Sequence, residues 1–546
     1  MLFYFKALIN KKGEKNQNLG GGSSYEKKSN LVTLVLILML SLTFQATSLS
    51  NSLFHETIGQ GNQPGTIHIG TLPQEAAPEK PVLVFVQGLT NNSTTWYQGN
   101  NMYDLARQAG FETAFVELYD SGGTPKSYWE NGAMLADQLE QVSEYFNGKK
   151  LVVVGYSKGG VDAQVALIHE GKHNLVSDVV TIGSPHWGSE LADLANSSTL
   201  GWLSALIGQN SEGTQSLQTG VMNHFRSITD NRWEVQQNRY YTIAGNRAGP
   251  IFSNYWLGGG FIPGASDGVV SVASSRLPYA PMLRIGNWNH GEVHRGSNAL
   301  PLFRDIVQVS KPMENAALDH FYNKVGTEEV DMLVRGGTQN GKAEEKFYVE
   351  NGVKRISINW MSATELDSVE LVSPHNNENK VYQVTGVQDT EYFNGAWHHY
   401  VELENPKSGE WTIRTHTNQS SAYAMLVKFD SELNKQVQVV EDGNKKNWKY
   451  IADFEPGNSK GNTPFKMFYD IQFVPGNGKE NKQIGHRMRD YRQGNKHNEN
   501  NKISLPVQGE GIYNVTIDIE GVTPSGDKFQ RTVIKSIYVD DKGNAY

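Results

Sequence analysis

The run Leu151-Val152-Val153-Val154-Gly155-Tyr156-Ser157-Lys158-Gly159-Gly160 forces an abrupt change of direction on the chain. Its four leading apolar residues suit a parallel strand covered on both faces. The glycines around Ser157 permit a sharp turn and let the next segment lie close against the strand. Beyond it, Val161, Val165 and Ile168 recur at helical spacing, and Gly171 stands where a helix stop belongs. The reading is strand, Gly-x-Ser-x-Gly turn and helix, with the Ser157 hydroxyl lifted out of the sheet. Gly264-Ala265-Ser266-Asp267-Gly268 matches the same five-residue pattern. It follows a glycine-rich stretch containing Pro263 and precedes Val269-Val270-Ser271-Val272, so it lacks the strand and helix that give the first copy its meaning.

From about Pro81 to Val309, strand and helix patterns alternate, which predicts a doubly wound, mostly parallel α/β sheet. Val82–Val86 reads as its first buried strand, Met102 to Ala109 as a short helix and Phe111 to Leu118 as a strand. Leu135, Leu139, Val142 and Phe146 share one helical face, and Val176 to Ile182 and Tyr240 to Ala244 read as later strands. Ligands of such a sheet bind at the carboxyl ends of its strands, where Gln87, Ser157 and Gly183 fall. Beyond about Lys311 the period changes to two. Ile356, Ile358 and Trp360 alternate, as do Trp411 with Ile413, and Tyr423, Met425, Val427 and Phe429, predicting a β-sandwich over 343–432. Met467 to Phe473, Tyr513 to Ile519 and Ile534 to Val539 predict a second over 450–546, with Gly476 to Lys502 as a long solvated loop. The division is thus a leader at 1–50, an α/β domain at 51–311 and two β modules.

A chain of 546 residues exceeds one ordinary core, in keeping with that division. The net charge of −8 carries no basic excess, which argues against a nucleic-acid partner. The absence of cysteine excludes disulfides, thiolate metal sites and a cysteine nucleophile. Lys27 and Lys28 precede the apolar run Leu31 to Leu40, and Ala46-Thr47-Ser48 follows. This is the order of a secretory signal, and the run is shorter than the ~20 residues that span a bilayer. The expectation is a secreted or cell-surface protein, a retained anchor being the alternative.

A nucleophilic serine needs a base, a carboxylate to orient that base and donors for a developing oxyanion. After such a turn the order should be serine, acid, histidine. Asp267 and His290 fit, with His294 as the competing base. Asp162 belongs beneath the turn, and His186 beside Pro185 suits shaping a loop. Together with Ile182-Gly183-Ser184-Pro185-His186-Trp187-Gly188-Ser189, Ser266-Asp267-Gly268-Val269-Val270 and Asn289-His290-x-Glu292-Val293, these features make residues 80 to 300 resemble the secreted bacterial true lipases of the α/β-hydrolase superfamily. The resemblance implies Ser157 as nucleophile, Asp267 as acid, His290 as base, and the backbone amides of Leu89 and Lys158 as oxyanion donors. Those lipases commonly carry His-Gly at the oxyanion turn, where this chain has Gln87-Gly88, and a glutamine amide can hold a loop by hydrogen bonds as a histidine can. No cofactor is required. The resemblance allows a structural Ca²⁺ near the histidine loop, for which Glu292 is the one carboxylate in view, while calcium needs six or more oxygens.

Between Asn196 and Trp233, Leu200, Trp202, Leu203, Leu206, Ile207, Leu217, Val221, Met222 and Phe225 suit either a lid over lipid or part of the core. The leading expectation is a secreted carboxylic ester hydrolase, a lipase, acting on lipid or other esters through an acyl-serine. One alternative is a polyester depolymerase whose carboxyl-terminal modules bind polymer, lipid interface or cell surface; exposed Trp360, Trp397 and Trp411 would serve that role, although their alternation favours core packing. Another is an inert surface-binding or adhesion protein, against which the intact serine, aspartate and histidine order argues.

Overall fold

Eight strands form the first sheet: β1 Phe54–Ile58, β2 Ile67–Gly70, β3 Val82–Val86, β4 Thr113–Val116, β5 Leu151–Tyr156, β6 Val176–Ile182, β7 Arg239–Gly245 and β8 Met282–Gly286. Their order is β1-β2-β4-β3-β5-β6-β7-β8. From β4 through β8 every neighbouring pair is parallel, while β2 joins β4 antiparallel. The computed structural model describes residues 53–546 apart from 74, 76, 78, 202–210, 250–252, 308–329, 375–378, 383–385, 391–392, 443–447, 455–464, 477–487, 495–501 and 506–507. The leader and signal expected at 1–50 lie outside the described residues, as do Trp202, Leu203, Leu206 and Ile207. Among the described residues no helix is long and apolar enough to cross a membrane.

Strand β3 is buried along its whole length, as a strand covered on both faces must be. Helices α1 Met102–Gln108, α2 Tyr128–Tyr145 and α3 Lys158–Gln164 supply part of that cover. Leu135, Leu139 and Val142 of α2 share one apolar core with Val82, Val84, Val86, Leu151 and Val153. Strands β3 and β5, held side by side in this core, end at Val86 and Tyr156, just before Gln87 and Ser157.

The carboxyl-terminal half is β-rich. A seven-stranded sheet comprises β9 Met332–Val349, β10 Arg355–Ser362, β11 Ser368–Val372, β12 Asn379–Tyr382, β13 Gly386–Gln388, β14 Trp397–Glu404 and β15 Gly409–Asp430. Along β15, residues 412–416 pair with β11 and residues 423–430 with β10, while β9 pairs along nearly its whole length with a register shift between His416 and Ser420. Side chains from both ends then meet in one core that includes Trp360, Trp411, Ile413, Met425 and Val427. Three strands, β16 Val437–Asp442, β17 Lys449–Phe454 and β20 Lys502–Ser504, form a small sheet. Four more, β18 Phe465–Pro475, β19 Met488–Gly494, β21 Gly511–Val522 and β22 Lys528–Val539, form another. Val437, Tyr450 and Ile503 of the first share a core with Met467, Val515 and Ile537 of the second, as two packed sheets do.

Two expectations change, and the alternative of a tryptophan binding platform loses two of its residues. Residues 476–502 are not only loop, because β19 pairs along β18 from Phe465↔Gly494 to Ile471↔Met488. The first β region begins at Met332 rather than 343, because β9 continues the ladder with β15 as far as Met332↔Lys428. Trp360 and Trp411 cannot form an exposed binding platform: they are 0% and 5% exposed, and Trp360 stacks on Tyr423 at 4.3 Å between ring centroids. Their alternating positions face the core.

Candidate active site

Strand β5 delivers Ser157 with φ 54° and ψ −130°, a left-handed conformation that a non-glycine residue adopts only where its surroundings enforce it. Enforcement comes from both sides. The Ser157 amide donates to the Ile182 carbonyl at the end of β6, at 2.9 Å. On the helix side, a Cβ at Gly159 would lie 2.3 Å from the Gln87 carbonyl oxygen, so only glycine lets α3 start this close to the end of β3. A Cβ at Gly88 would similarly lie 2.7 Å from Ser157 Cβ, which places the turn after β3 directly beside the serine.

Gln87 is 1% exposed. With its amide oriented to suit both neighbours, it donates to the Val116 carbonyl at 2.8 Å and accepts from the Leu118 amide at 2.7 Å. It thereby fastens the β3 turn to the end of β4. Lys158 opens α3, so its amide has no carbonyl one helical turn back to bond. The two backbone groups considered as oxyanion donors thus belong to the two segments that meet at Ser157.

Asp267 comes from the loop after β7, and His290 opens a one-turn helix, His290–Val293, after β8. The Asp267 carboxylate accepts from the amides of Val269 at 3.0 Å and Val270 at 2.8 Å through Oδ1, and its Oδ2 lies 2.7 Å from His290 Nδ1. His290 Nε2 lies 3.1 Å from Ser157 Oγ. The backbone ties the two segments too, the His290 amide donating to the Asp267 carbonyl at 2.8 Å and Tyr156 Oη donating to the His290 carbonyl at 3.0 Å. Carboxylate, imidazole and hydroxyl form one continuous chain of hydrogen-bond contacts, the arrangement a proton transfer requires.

His294 is placed elsewhere. Its Nε2 lies 3.0 Å from Thr95 Oγ1, and its ring stacks on Tyr156 at 3.9 Å. Burial, reinforced by the neighbouring His290, pushes its pKa down to about 3, so the ring is neutral at ordinary pH. His186 is fully buried, with Nε2 3.0 Å from Thr181 Oγ1, and burial holds its pKa well below the usual range. Ser266 lies in a tight turn bridged to Ser271, apart from any strand-to-helix turn. Glu292 is engaged by Arg247 and by the Asn289 amide, and those contacts outweigh burial to hold its pKa below the ordinary carboxylate range. Among the described residues no group of three or more His, Cys, Asp or Glu side chains is arranged to hold a metal. Among the described residues, Glu292, the one carboxylate in view for the calcium that the resemblance allowed, is thus taken up by an arginine.

Sequence reasoning missed Asp120, Asn131 and the side chain of Lys158, which cluster beneath the serine turn. It also left open the segment from 196 to 233. Its described apolar residues Leu200, Leu217, Val221, Met222 and Phe225 are buried. Leu200 joins a core with Val334, Met361, Ala424 and Leu426 of the β-rich half.

The description "alpha/beta hydrolase fold" matches residues 81–224. Among solved structures, Bacillus licheniformis lipase BlEst2 in its propeptide form is 33% identical, with a TM-score of 0.73 over 89% of this chain and 99% of that one. The mature form of BlEst2 is 40% identical, covering 45% of this chain and 100% of its own, with a TM-score of 0.42. A search of curated proteins found no similar sequence. The end-to-end likeness to the propeptide form, with the serine turn set at the end of a parallel β5, makes this chain a member of the α/β-hydrolase family of lipases and esterases.

Proposed function

We propose that the protein is a secreted serine carboxylic ester hydrolase, a lipase, in which Ser157 is the nucleophile, His290 the base and Asp267 the orienting acid. The observation that carries this reading is the unbroken contact chain from Asp267 Oδ2 through His290 to Ser157 Oγ. Ser157 Oγ attacks the ester carbonyl carbon while His290 Nε2 takes its proton. The amides of Leu89 and Lys158 receive the oxyanion, where fixed donors act on charge that appears only in the transition state. The alcohol leaves with the proton from His290, and water then hydrolyses the acyl-serine by the same route. Asp267, held by two backbone amides, orients the His290 ring and stabilises the imidazolium that forms.

The β-rich half is proposed as a removable cover. Both members of the serine–histidine pair are nearly sealed, Ser157 at 8% and His290 at 6% exposure. Helix α4 Glu190–Ala195 and helix α5 Thr219–Thr229, following β6, are packed from outside by the β-rich sheets. A Cβ at Gly220 would lie 2.6 Å from Ile537 Cα, His224 stacks on Tyr538 at 4.4 Å, and Gln218 Nε2 donates to Asn514 Oδ1 at 2.7 Å. The relative that this chain matches over almost its whole length is a lipase in propeptide form, which supports the same role here. Secretion rests on the signal-like order of residues 27–48.

The test is hydrolysis of short- and long-chain p-nitrophenyl esters by the full chain and by a chain ending at Val307, each shown to be folded by circular dichroism. Ser157→Ala should abolish turnover in both, and removal of the β-rich half should raise it, most for long acyl chains. Equal turnover with and without that half would refute the cover. Turnover that survives Ser157→Ala would refute the nucleophile.

A further inference from the structure

Directly below the serine turn lies a closed group of charges that the ester-cleaving relay does not use. Lys158, the residue after the nucleophile, has a fully buried side chain whose ammonium lies 3.0 Å from Asp162 Oδ1 and 3.2 Å from Asp120 Oδ2. Asp120 and Asp162 are 2% and 1% exposed. Asn131 Nδ2 donates to both carboxylates, at 3.2 Å to Asp162. The other oxygen of Asp120, Oδ1, accepts from the Thr90 amide at 3.3 Å. Thr90 follows Leu89 and has φ 59°, so the chain immediately beyond one proposed oxyanion donor holds a conformation that needs outside support.

We propose that Asp120 and the side chain of Lys158 are positioning residues for the oxyanion hole, one carboxylate bridging the Thr90 amide behind the Leu89 donor to the ammonium of the residue that supplies the Lys158 donor. The two donors come from segments about 70 residues apart in sequence, and only their spacing across Ser157 makes them a pair. Gln87 fastens one segment to β4, but nothing in that contact sets its distance from α3. The Asp120–Lys158 bridge does. A buried ion pair is a poor device for stability alone, since the desolvation of its charges offsets their attraction. Its use is to fix geometry. Burial opposes the charge on Lys158, yet Asp120 and Asp162 outweigh it and hold the ammonium above its ordinary range, so the Lys158 end of the bridge keeps its charge.

This inference rests on the ester-hydrolase reading, and the experiment separates the two. Steady-state kcat and KM for p-nitrophenyl butyrate, and the inhibition constant of an alkyl boronic acid that forms a tetrahedral adduct, are measured on the full chain. The proteins are wild type, Asp120→Asn, Lys158→Met and Asp178→Asn, with thermal melting of each. Asp178 pairs with Arg239 in a buried contact at the far ends of β6 and β7, away from both donors, and reports what loss of a buried ion pair does by itself. Displaced donors cost catalysis about 10- to 100-fold, against the roughly 100- to 1,000-fold of deleting one outright. Asp120→Asn should therefore lower kcat by about 10- to 100-fold with KM within about twofold, and weaken the boronic acid in proportion. Asp178→Asn should lower the melting temperature and leave kcat per folded molecule unchanged. If Lys158→Met does not fold, Asp120→Asn, which keeps an acceptor for Thr90, decides alone. Unchanged kcat and boronate affinity in folded Asp120→Asn would overturn the positioning role with the hydrolase reading intact. A wild type inert towards both ester and boronic acid would overturn the hydrolase reading, and this role with it.

Discussion

Strand β5 of the α/β half and strand β15 of the β-rich half are both buried on two faces, for different reasons. In β5 both covers are local: helices of its own half lie over the sheet, and the strand ends at Ser157. In β15 one face, Tyr423, Met425, Val427 and Phe429, fills the core of its own sheet. The other, Ala422, Ala424 and Leu426, packs against Leu191, Leu194 and Leu200 of the α/β half. One strand presents chemistry, and the other closes over the layer that presents it. The residues proposed to contact the reacting atoms all come from the first region, so its substitutions should act on kcat. Substitutions on the outward face of β15 should act on access.

The comparison breaks most sharply at Ser157. Ser157→Ala should lower kcat/KM for any ester by at least about 1,000-fold with melting nearly unchanged, whereas Ser266→Ala should stay within about threefold. Next come the two histidines. His290→Ala should approach the serine variant in severity. His294→Ala should cost about tenfold or less, through lost packing on Tyr156, and the reverse ranking by the same assay would move the base. Smaller, and opposite in sign, is the effect expected at β15: Leu426→Asp puts a charge into the interface and should raise hydrolysis of a long-chain ester several-fold. A fall in activity of the folded variant would mean that β15 supports the site rather than covers it.

The smallest effect is a pH dependence of stability. His294 has a folded pKa lowered to about 3, and His399 in the β-rich half one lowered to about 4, in each case chiefly by burial. The unfolded chain takes up these protons near pH 6.5 and the folded chain does not, so the stability present above 6.5 is lost as pH falls towards 4. Melting temperature should decline over that window, and His294→Phe should flatten the decline by a few degrees. An unaltered slope in calorimetric scans would show that His294 is not held neutral.

Much of the α/β half was legible because its signals are local. Val82–Val86 and Val176–Ile182 stand where apolar runs place them, and the position of Ser157 follows from four apolar residues meeting a glycine-rich turn. The placement of His290 needed more, since spacing alone left His294 open and only the segments after β7 and β8 bring one ring to the serine. Lys158 and Asp162 stand four apart on one helix, but Asp120 was illegible as their partner because Asn131 and Lys158 lie 11 and 38 residues from it with no shared periodicity. The second face of β15 did leave a signal: Ala422 to Leu426 is an unbroken apolar run, whereas a strand with one wet face alternates. Reading only the odd positions hid the interface. Strand β19 was missed because Met488 to Gly494 is rich in charged residues, and its pairing with β18 is a tertiary fact.

The central claim is that Ser157 takes the acyl group. An alkyl fluorophosphonate, which reacts preferentially with an activated serine, followed by peptide mass spectrometry, tests it most directly. The account predicts one adduct, on Ser157, that disappears in His290→Ala. An adduct on Ser266, or equal labelling in the His290→Ala protein, would contradict it.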